Sequence, residues 1–299
     1  MKNSQRSQRG SVLLLAVWLL FLLSGIALGV AATVGTDMHL TRNLMDQAQA
    51  RHAAQAAIHR IVLALLERRN SASSDRPPPR SFDIGGTRVT ASVTDECAKV
   101  DLNTGWGLLV RGLTGWAAGK DRSLDVGQAW LDWRDPDDRR RPGGAEDIDY
   151  AGANYPYGAR DGVFDTIDEL RLVRGMTPEI YRRLAPHVTV DCLNAGVDPL
   201  VASRTVLTAV PGIDRGALLE FLAVRDRLSI EAAEAQARGL GNASRYLEIS
   251  PRSAFGITAT ATHPSGSRVT WRAVVWITGN AQRPYIFRTW GPVPDLGGD

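Results

Sequence analysis

One stretch near the amino terminus decides the fold of this chain: Arg9-Gly10-Ser11-Val12-Leu13-Leu14-Leu15-Ala16-Val17-Trp18-Leu19-Leu20-Phe21-Leu22-Leu23. No charged residue occurs from residue 10 to residue 36, and a helix needs about 20 apolar residues to cross the hydrocarbon core of a bilayer. Residues 1–9, which precede the uncharged run, include Lys2, Arg6 and Arg9 and no acid. Because basic flanks stay in the cytoplasm, the sequence predicts a membrane anchor with nearly the whole chain on the far side.

Three interpretations of the stretch remain open. It is a single-pass anchor, a secretory signal peptide cut at Gly29-Val30-Ala31, or a leader that ends at Gly10. A short basic leader ending in Gly and followed at once by an apolar helix resembles the class III leaders of type IV pilins and pseudopilins. That resemblance implies cleavage between Gly10 and Ser11 by prepilin peptidase, a methylated Ser11, and a helix that stays in the mature protein.

One position departs from the pilin pattern. Pilin-type sequences have Glu at the fifth mature position, where it neutralises the amino terminus of the neighbouring subunit, and here that residue is Leu15. A carboxylate in lipid is costly unless it is paired, so Leu15 suits the membrane but removes the means of docking onto a subunit ahead. A subunit of this kind fits best at the tip of a fibre.

Composition bounds the class of protein. The chain has 299 residues, of which 44% are hydrophobic and 22% charged, so the part beyond the anchor is expected to fold into two or more domains. A net charge of +3 is too balanced to favour nucleic-acid binding. The sequence contains no metalloprotease, nucleophile-elbow or phosphate-loop motif. We therefore expect neither an enzyme nor a small-molecule substrate.

The remaining pattern predicts strands on both sides of a helical middle. Residues 37–69 lack Gly and Pro and continue the helix as an amphipathic segment, and residues 70–79, with three prolines, predict a linker. Alternating β-formers predict strands, the last three as a hairpin and an edge strand: 88–94, 255–262, 268–277 and 285–290. The predicted fold is α+β, a small sheet interrupted by a helical insertion.

The middle contains a weak internal repeat. Two segments read as a Val-x-Gly-apolar turn, then an N-cap, Thr177 or Asp214, then a helix. Such turns resemble helix-hairpin-helix modules that bind DNA backbones, but those modules want a second Gly where Thr177 and Asp214 stand. Because an acid there repels phosphate, we interpret both turns as packing devices. A membrane-anchored DNA-binding or uptake protein remains the alternative.

Several segments resemble the minor pseudopilin K family of type II secretion systems. They are the acidic segment Trp130–Asp138, the segment Gly144–Tyr150 and the segment Phe164–Glu179, with weaker likeness at Glu96–Thr104 and Pro186–Val190. The likeness covers roughly residues 6–290 and departs from the family pattern over residues 197–207. It implies a pilin-like α/β domain that carries a large helical insertion of two sterile-alpha-motif-like modules.

The resemblance also implies a domain layout, a location and partners. The protein would sit in the inner membrane with its body in the periplasm, and then at the tip of the pseudopilus, helping to start its assembly and the export of folded proteins. Minor pseudopilins I and J, then H, would be its partners. The implied ranges are a leader at 1–10, a transmembrane half-helix at 11–36, a periplasmic half-helix at 37–69, a sheet from 81–100 and 244–292, and modules at 101–191 and 192–243.

An acidic segment suggests a calcium site. Carboxylates crowd residues 132–149 together with Pro and Gly, and calcium takes six to eight oxygen ligands. Some members of the resembled family carry calcium in the helical domain. The candidate ligands are Asp135, Asp137, Glu146 and Asp147, although Arg139–Arg141 would neutralise part of the charge and the segment could be no more than a solvated loop.

The two cysteines permit one further expectation. Cys97 precedes the insertion and Cys192 follows its first module, and the ends of an inserted module must return close to each other. In an oxidising compartment the two could pair and staple the base of the insertion. The other interpretation is two buried thiols.

Overall fold

The computed structural model describes residues 8–70, 80–119, 123–249 and 253–293. Its helices are α1 to α8 in chain order: Gln8–Asn70, Gly107–Ala118, Ser123–Arg134, Asp147–Gly152, Pro178–Leu184, Arg204–Ala209, Arg215–Val224 and Ile230–Ala237. Its strands are β1 to β7: Arg80–Ile84, Thr87–Asp95, Val100–Asp101, Val188–Thr189, Ala254–Thr262, Arg268–Asn280 and Arg283–Pro292. Residues 1–7 of the predicted leader and residues 71–79 of the predicted linker lie outside the described part.

Helix α1 has two halves with different surroundings. None of the apolar window Val12–Gly29 is buried against the rest of the chain. The second half packs on the sheet through a stripe of buried residues at three- and four-residue steps: Ala50, Ala53, Ala54, Ala57, Ile58, Ile61, Val62 and Leu65. Four alanines at the start of the stripe let the helix backbone approach the strands closely. The predicted continuation of the apolar helix into an amphipathic one is confirmed.

The sheet has the strand order β1-β2-β5-β6-β7, with every neighbouring pair antiparallel. Residues of β2 alternate between buried and exposed, as expected for a strand with one face on a core. The four predicted strands are present. Strand β1 was not predicted, and it joins β2 through Gly85 and Gly86, both with positive φ, which a two-residue hairpin turn requires.

The insertion occupies the chain between β2 and β5. Among the described residues it contains α2 to α8 and the two-residue parallel pair β3–β4. Its buried apolar residues form one cluster that runs from Val100 to Tyr246, separate from the cluster under α1. The apolar core is therefore continuous across residues 191 and 192, where the two modules were predicted to meet, and the division into modules stays a prediction.

The two repeated turns have the same local structure. Gly175 and Gly212 adopt φ values of 81° and 74°. Residues with a Cβ rarely adopt this backbone conformation. Thr177 Oγ1 then accepts a hydrogen bond from Ile180 N at 3.3 Å, and Asp214 Oδ1 accepts one from Ala217 N at 2.8 Å. Both predicted N-caps are confirmed.

Candidate functional site

Three carboxylates meet inside the insertion. Asp132 lies in the last turn of α3, Asp135 follows that helix, and Glu146 immediately precedes α4. One oxygen from each lies within 4.8 Å of the others. Asp132 and Glu146 are buried. Gly144 passes so close to Asp132 that a Cβ there would overlap the carboxylate, so the glycine is needed to bring these segments together.

The cluster carries more negative charge than its surroundings neutralise. Arg141 Nη1 donates to Asp132 Oδ1 at 2.7 Å and also to Asp135 Oδ2. Burial raises the pKa of Glu146 to about 7, and the neighbouring charges of Asp132 and Asp135 act in the same direction. Burial also raises the pKa of Asp132, against the effect of Arg141.

The buried oxygens of the cluster that lack hydrogen-bond partners fit a divalent cation. Both side-chain oxygens of Glu146 and Oδ1 of Asp135 are buried without a hydrogen-bond partner. Burying a carboxylate oxygen without a hydrogen-bond partner costs free energy of folding. A calcium ion would offset that cost, because carboxylate oxygens coordinate calcium. Arg141 donates to both carboxylate oxygens of Asp132 and to Oδ2 of Asp135, so Asp135 Oδ1 and the two Glu146 oxygens are the ones left open.

The ligand set differs from the one predicted from the sequence. Asp135 and Glu146 belong to the cluster, but Asp137 Oδ1 accepts from Arg139 N at 3.0 Å and Asp147 Oδ1 accepts from Ala159 N at 2.8 Å. Both of these side chains lie outside the three-carboxylate group: Asp137 closes a local turn, and Asp147 holds a loop 12 residues further along the chain. We therefore revise the set by replacing Asp137 and Asp147 with Asp132.

Sequence reasoning missed two acids. Asp132 stands between Leu131 and Trp133, both buried, and a charge on the buried face of a helix is itself a signal that could have identified it. Asp161, with a φ of 54°, comes from a later loop. Partial desolvation raises the pKa of this exposed residue, and so do the charges of Asp147, Asp138 and Asp135, so Asp161 adds to the same negative region.

A second polar centre joins the insertion to the sheet. Cys97 and Cys192 form a disulfide, with Cα atoms 4.9 Å apart across 95 residues of sequence. Beside it, Lys99 Nζ donates to Glu96 Oε2 at 2.7 Å, and Thr189 Oγ1 donates to the same oxygen at 2.7 Å. Residues just after β2 and just after β4 are thus held together by covalent and ionic contacts.

The same centre reaches the strands. Arg272 of β6 lies 3.7 Å from Glu96. Arg288 of β7 lies 3.3 Å from Asp191, and Trp276 Nε1 donates to the Asp191 carbonyl at 2.9 Å. A Cβ on Gly256 of β5 would overlap the Glu96 carboxylate. These contacts fix the base of the insertion on the face of the sheet opposite α1.

A third surface lies on α1 before it reaches the sheet. Met38, Leu40, Leu44 and Met45 are each more than half exposed, although they follow the window that could cross a membrane. Apolar side chains grouped on one segment of a helix mark a contact surface for another chain. We refer to these four residues as the exposed α1 segment.

The repeated turns do not present a phosphate site. In the second turn the Asp214 carboxylate already accepts the N–H group at the start of α7, where a phosphate oxygen would have to bind. In the first turn the Thr177 hydroxyl accepts the corresponding N–H group at the start of α5. This geometry disfavours the helix-hairpin-helix alternative.

The fold and these sites define a class of protein. Its members have a long helix that is apolar at its start and that packs on an antiparallel sheet at its end. A helical insertion lies between two strands of that sheet.

Residues 113–191 match the family model described as type II secretion system (T2SS), protein K. The chain is 27% identical over 222 residues to type II secretion system protein K of Pectobacterium carotovorum subsp. carotovorum, covering 64% of this chain and 67% of that one. It is 26% identical over 227 residues to the Klebsiella pneumoniae protein of the same name, covering 68% and 69%.

A solved structure shares the fold. A chain in the crystal structure of the GspK-GspI-GspJ complex from the enterotoxigenic Escherichia coli type 2 secretion system superposes with a TM-score of 0.64 at 17% identity. The match covers 85% of this chain and 99% of that chain. The predicted α+β fold and the resemblance to protein K of type II secretion systems are confirmed.

Proposed function

We propose that this protein is the minor pseudopilin at the tip of a type II secretion pseudopilus. One observation carries the proposal: α1 is a single helix whose first half could cross a membrane and whose second half is part of the folded core. An anchor that is built into the fold suits a subunit that first waits in the inner membrane and then enters a fibre. Its body would lie in the periplasm, and its leader would be removed after Gly10 by prepilin peptidase.

The place at the tip is supported by two features. Leu15 stands where a docking glutamate would contact a subunit ahead. The insertion adds a second, independent core to the sheet domain, which gives the subunit a bulk that would hinder a neighbour stacked above it. The protein would act by starting assembly and supporting export of folded proteins, without bond chemistry.

Minor pseudopilins I and J are the proposed direct partners, with H below them. The structural relative was solved in a complex with GspI and GspJ, and the exposed α1 segment offers an apolar surface for helices of that kind.

A substitution in the exposed α1 segment tests the partners. Leu44→Lys should abolish co-purification with I and J, because burying an unpaired ammonium between helices is strongly unfavourable. The matched control is Leu219→Lys, since Leu219 is also a half-exposed leucine but lies on α7, and it should leave the complex intact. Equal recovery of the complex from both variants would contradict this interface.

We also propose that the acidic cluster holds calcium, with Asp132, Asp135 and Glu146 as ligands. Calcium together with Arg141 would balance the charge of the three carboxylates, and the ion would tie the end of α3 to the start of α4. Its role would be structural, holding the shape of the insertion at the tip. The open carboxylate oxygens of Glu146 and Asp135 support this proposal, and the stability measurement on Glu146 described below tests it.

A further inference from the structure

A cavity of about 510 Å³ is lined in part by Gly143–Ala145, the loop next to the acidic cluster. Four separate segments line it: Ala129 of α3, Arg140 and Gly143–Ala145, Ala153 and Tyr155 after α4, and the turn Arg174–Gly175. The size is within the range of sites that bind small organic ligands or side chains. It is far larger than a single inorganic ion needs.

Two guanidinium groups dominate the charge of this cavity. Arg140 Nη1 lies 2.8 Å from Asp149 Oδ1, and Arg174 Nη1 lies 3.6 Å from the same oxygen. One carboxylate therefore pairs with two guanidinium groups. This leaves one excess positive charge within this group of three residues. The two arginine side chains are 58% and 43% exposed, whereas Asp149 is 11% exposed, so both cations reach solvent while the anion is largely covered.

Tyr155 forms an aromatic wall beside the arginines. Tyr155 packs edge-on against Tyr150 with ring centroids 5.6 Å apart. The hydroxyl of Tyr150 accepts a hydrogen bond from Arg174 N at 3.0 Å, which fixes the backbone that carries the second guanidinium. Gly175 has a φ of 81°, and a Cβ there would lie 3.3 Å from Val126 Cγ2, so a glycine suits this turn beside the cavity.

We propose that this cavity binds a carboxylate-bearing segment of another protein. Guanidinium groups recognise carboxylates through paired N–H donors, and the excess charge selects an anion. The volume and the aromatic wall suit an acidic side chain together with its neighbours. The neighbouring acidic cluster acts against an anion, but Arg141 pairs with Asp132 and Asp135, and the residues that line the cavity hold two guanidinium groups.

The decisive experiment is a calorimetric titration of the full chain, in a neutral detergent, with an acetylated and amidated tetraglutamate peptide. Asp149→Asn should tighten binding by about threefold, because it removes the competing charge and keeps an oxygen that accepts from Glu146 N. Arg140→Gln together with Arg174→Gln should weaken binding about tenfold. Arg182→Gln is the matched control, since Arg182 is an exposed arginine that pairs with Glu179 away from the cavity, and it should change nothing.

Each other outcome would overturn the proposal. Equal affinity for a tetraglutamine peptide would show that the carboxylates are not recognised. Tighter binding of inorganic phosphate than of the peptide would make the cavity a free-anion site. An unchanged affinity in Asp149→Asn would show that Asp149 does not compete with the peptide for the arginines, and an equal loss in Arg182→Gln would show that the peptide follows the general surface charge. None of these outcomes bears on the proposed role in pseudopilus assembly.

Discussion

Replacing Glu146 by glutamine should stabilise the metal-free protein at alkaline pH and destabilise the calcium-loaded one. In the folded chain Glu146 is 2% exposed, both its carboxylate oxygens lack a hydrogen-bond partner, and its pKa is raised by burial from 4.5 to about 7. An acid whose pKa is higher in the folded than in the unfolded state binds its proton more tightly when folded. Stability is therefore lost as the pH rises from about 5 through 7.

The magnitude follows from that pKa. One pKa unit corresponds to about 1.4 kcal/mol, so ionising Glu146 should cost up to about 3 kcal/mol between pH 5 and pH 8. The amide side chain of Glu146→Gln cannot ionise, and the difference in unfolding free energy between variant and wild type should grow by that amount over the same range. Comparing the two proteins at both pH values cancels the cost of burying the amide itself.

The assay is urea unfolding of the full chain in a neutral detergent, followed by tryptophan fluorescence in the presence of a chelator and then of calcium. Calcium at about 100 times its dissociation constant should add about 2.7 kcal/mol to the wild type and far less to the variant, so the order of stabilities reverses. Asp137→Asn is the control, because Asp137 lies outside the cluster, and it should follow the wild type in every condition. A variant that gains nothing at pH 8 without metal, or that responds to calcium like the wild type, would refute the reasoning.

Three further predictions concern the backbone and the junction. Reducing the disulfide should lower the unfolding free energy by up to about 4–5 kcal/mol, since it closes a loop of 95 residues in the chain-entropy model; two titratable thiols in the unreduced, denatured protein would contradict the bond. Leu193→Gly should raise stability by about 0.5–1 kcal/mol, because Leu193 has a φ of 63° that favours glycine, whereas Leu219→Gly on a helix should lower stability by about 1 kcal/mol; equal losses in thermal melts would be evidence against strain. Gly256→Ala should cost about 1–3 kcal/mol by displacing the buried Glu96 carboxylate, while Gly291→Ala, with open space around it, should cost little; the comparison fails if both variants unfold at the same urea concentration.

The long helix and most of the sheet could be predicted because their signals are local. An uncharged run, an alanine-rich stripe and alternating β-formers each act over neighbouring residues. Strand β1 escaped prediction because it has only five residues and directly follows a proline-rich stretch, although residues 81–84 alternate between polar and apolar side chains. Its pairing depends on the two-glycine turn and on β2.

The sites depended more on contacts that are distant in sequence. Acidic composition indicated the segment that holds the three-carboxylate group, but counting loop acids selected Asp137 and Asp147, whose carboxylates accept the N–H groups of Arg139 and Ala159. Asp132 belongs to the centre because its helix buries it beside Glu146. The pairing of Glu96 with Arg272 joins residues on opposite sides of the insertion in sequence. A pattern of neighbouring residues cannot predict such a contact.

The proposed identity as a pseudopilin is tested most directly by the mass and amino-terminal sequence of the protein from membranes of cells with and without prepilin peptidase. The prediction is a chain that begins at a methylated Ser11 only where the peptidase is present, with the uncut chain in its absence. A chain that begins near Ala32 in both strains would contradict it in favour of a signal peptide. An uncut Met1 form in both strains would leave a plain membrane anchor.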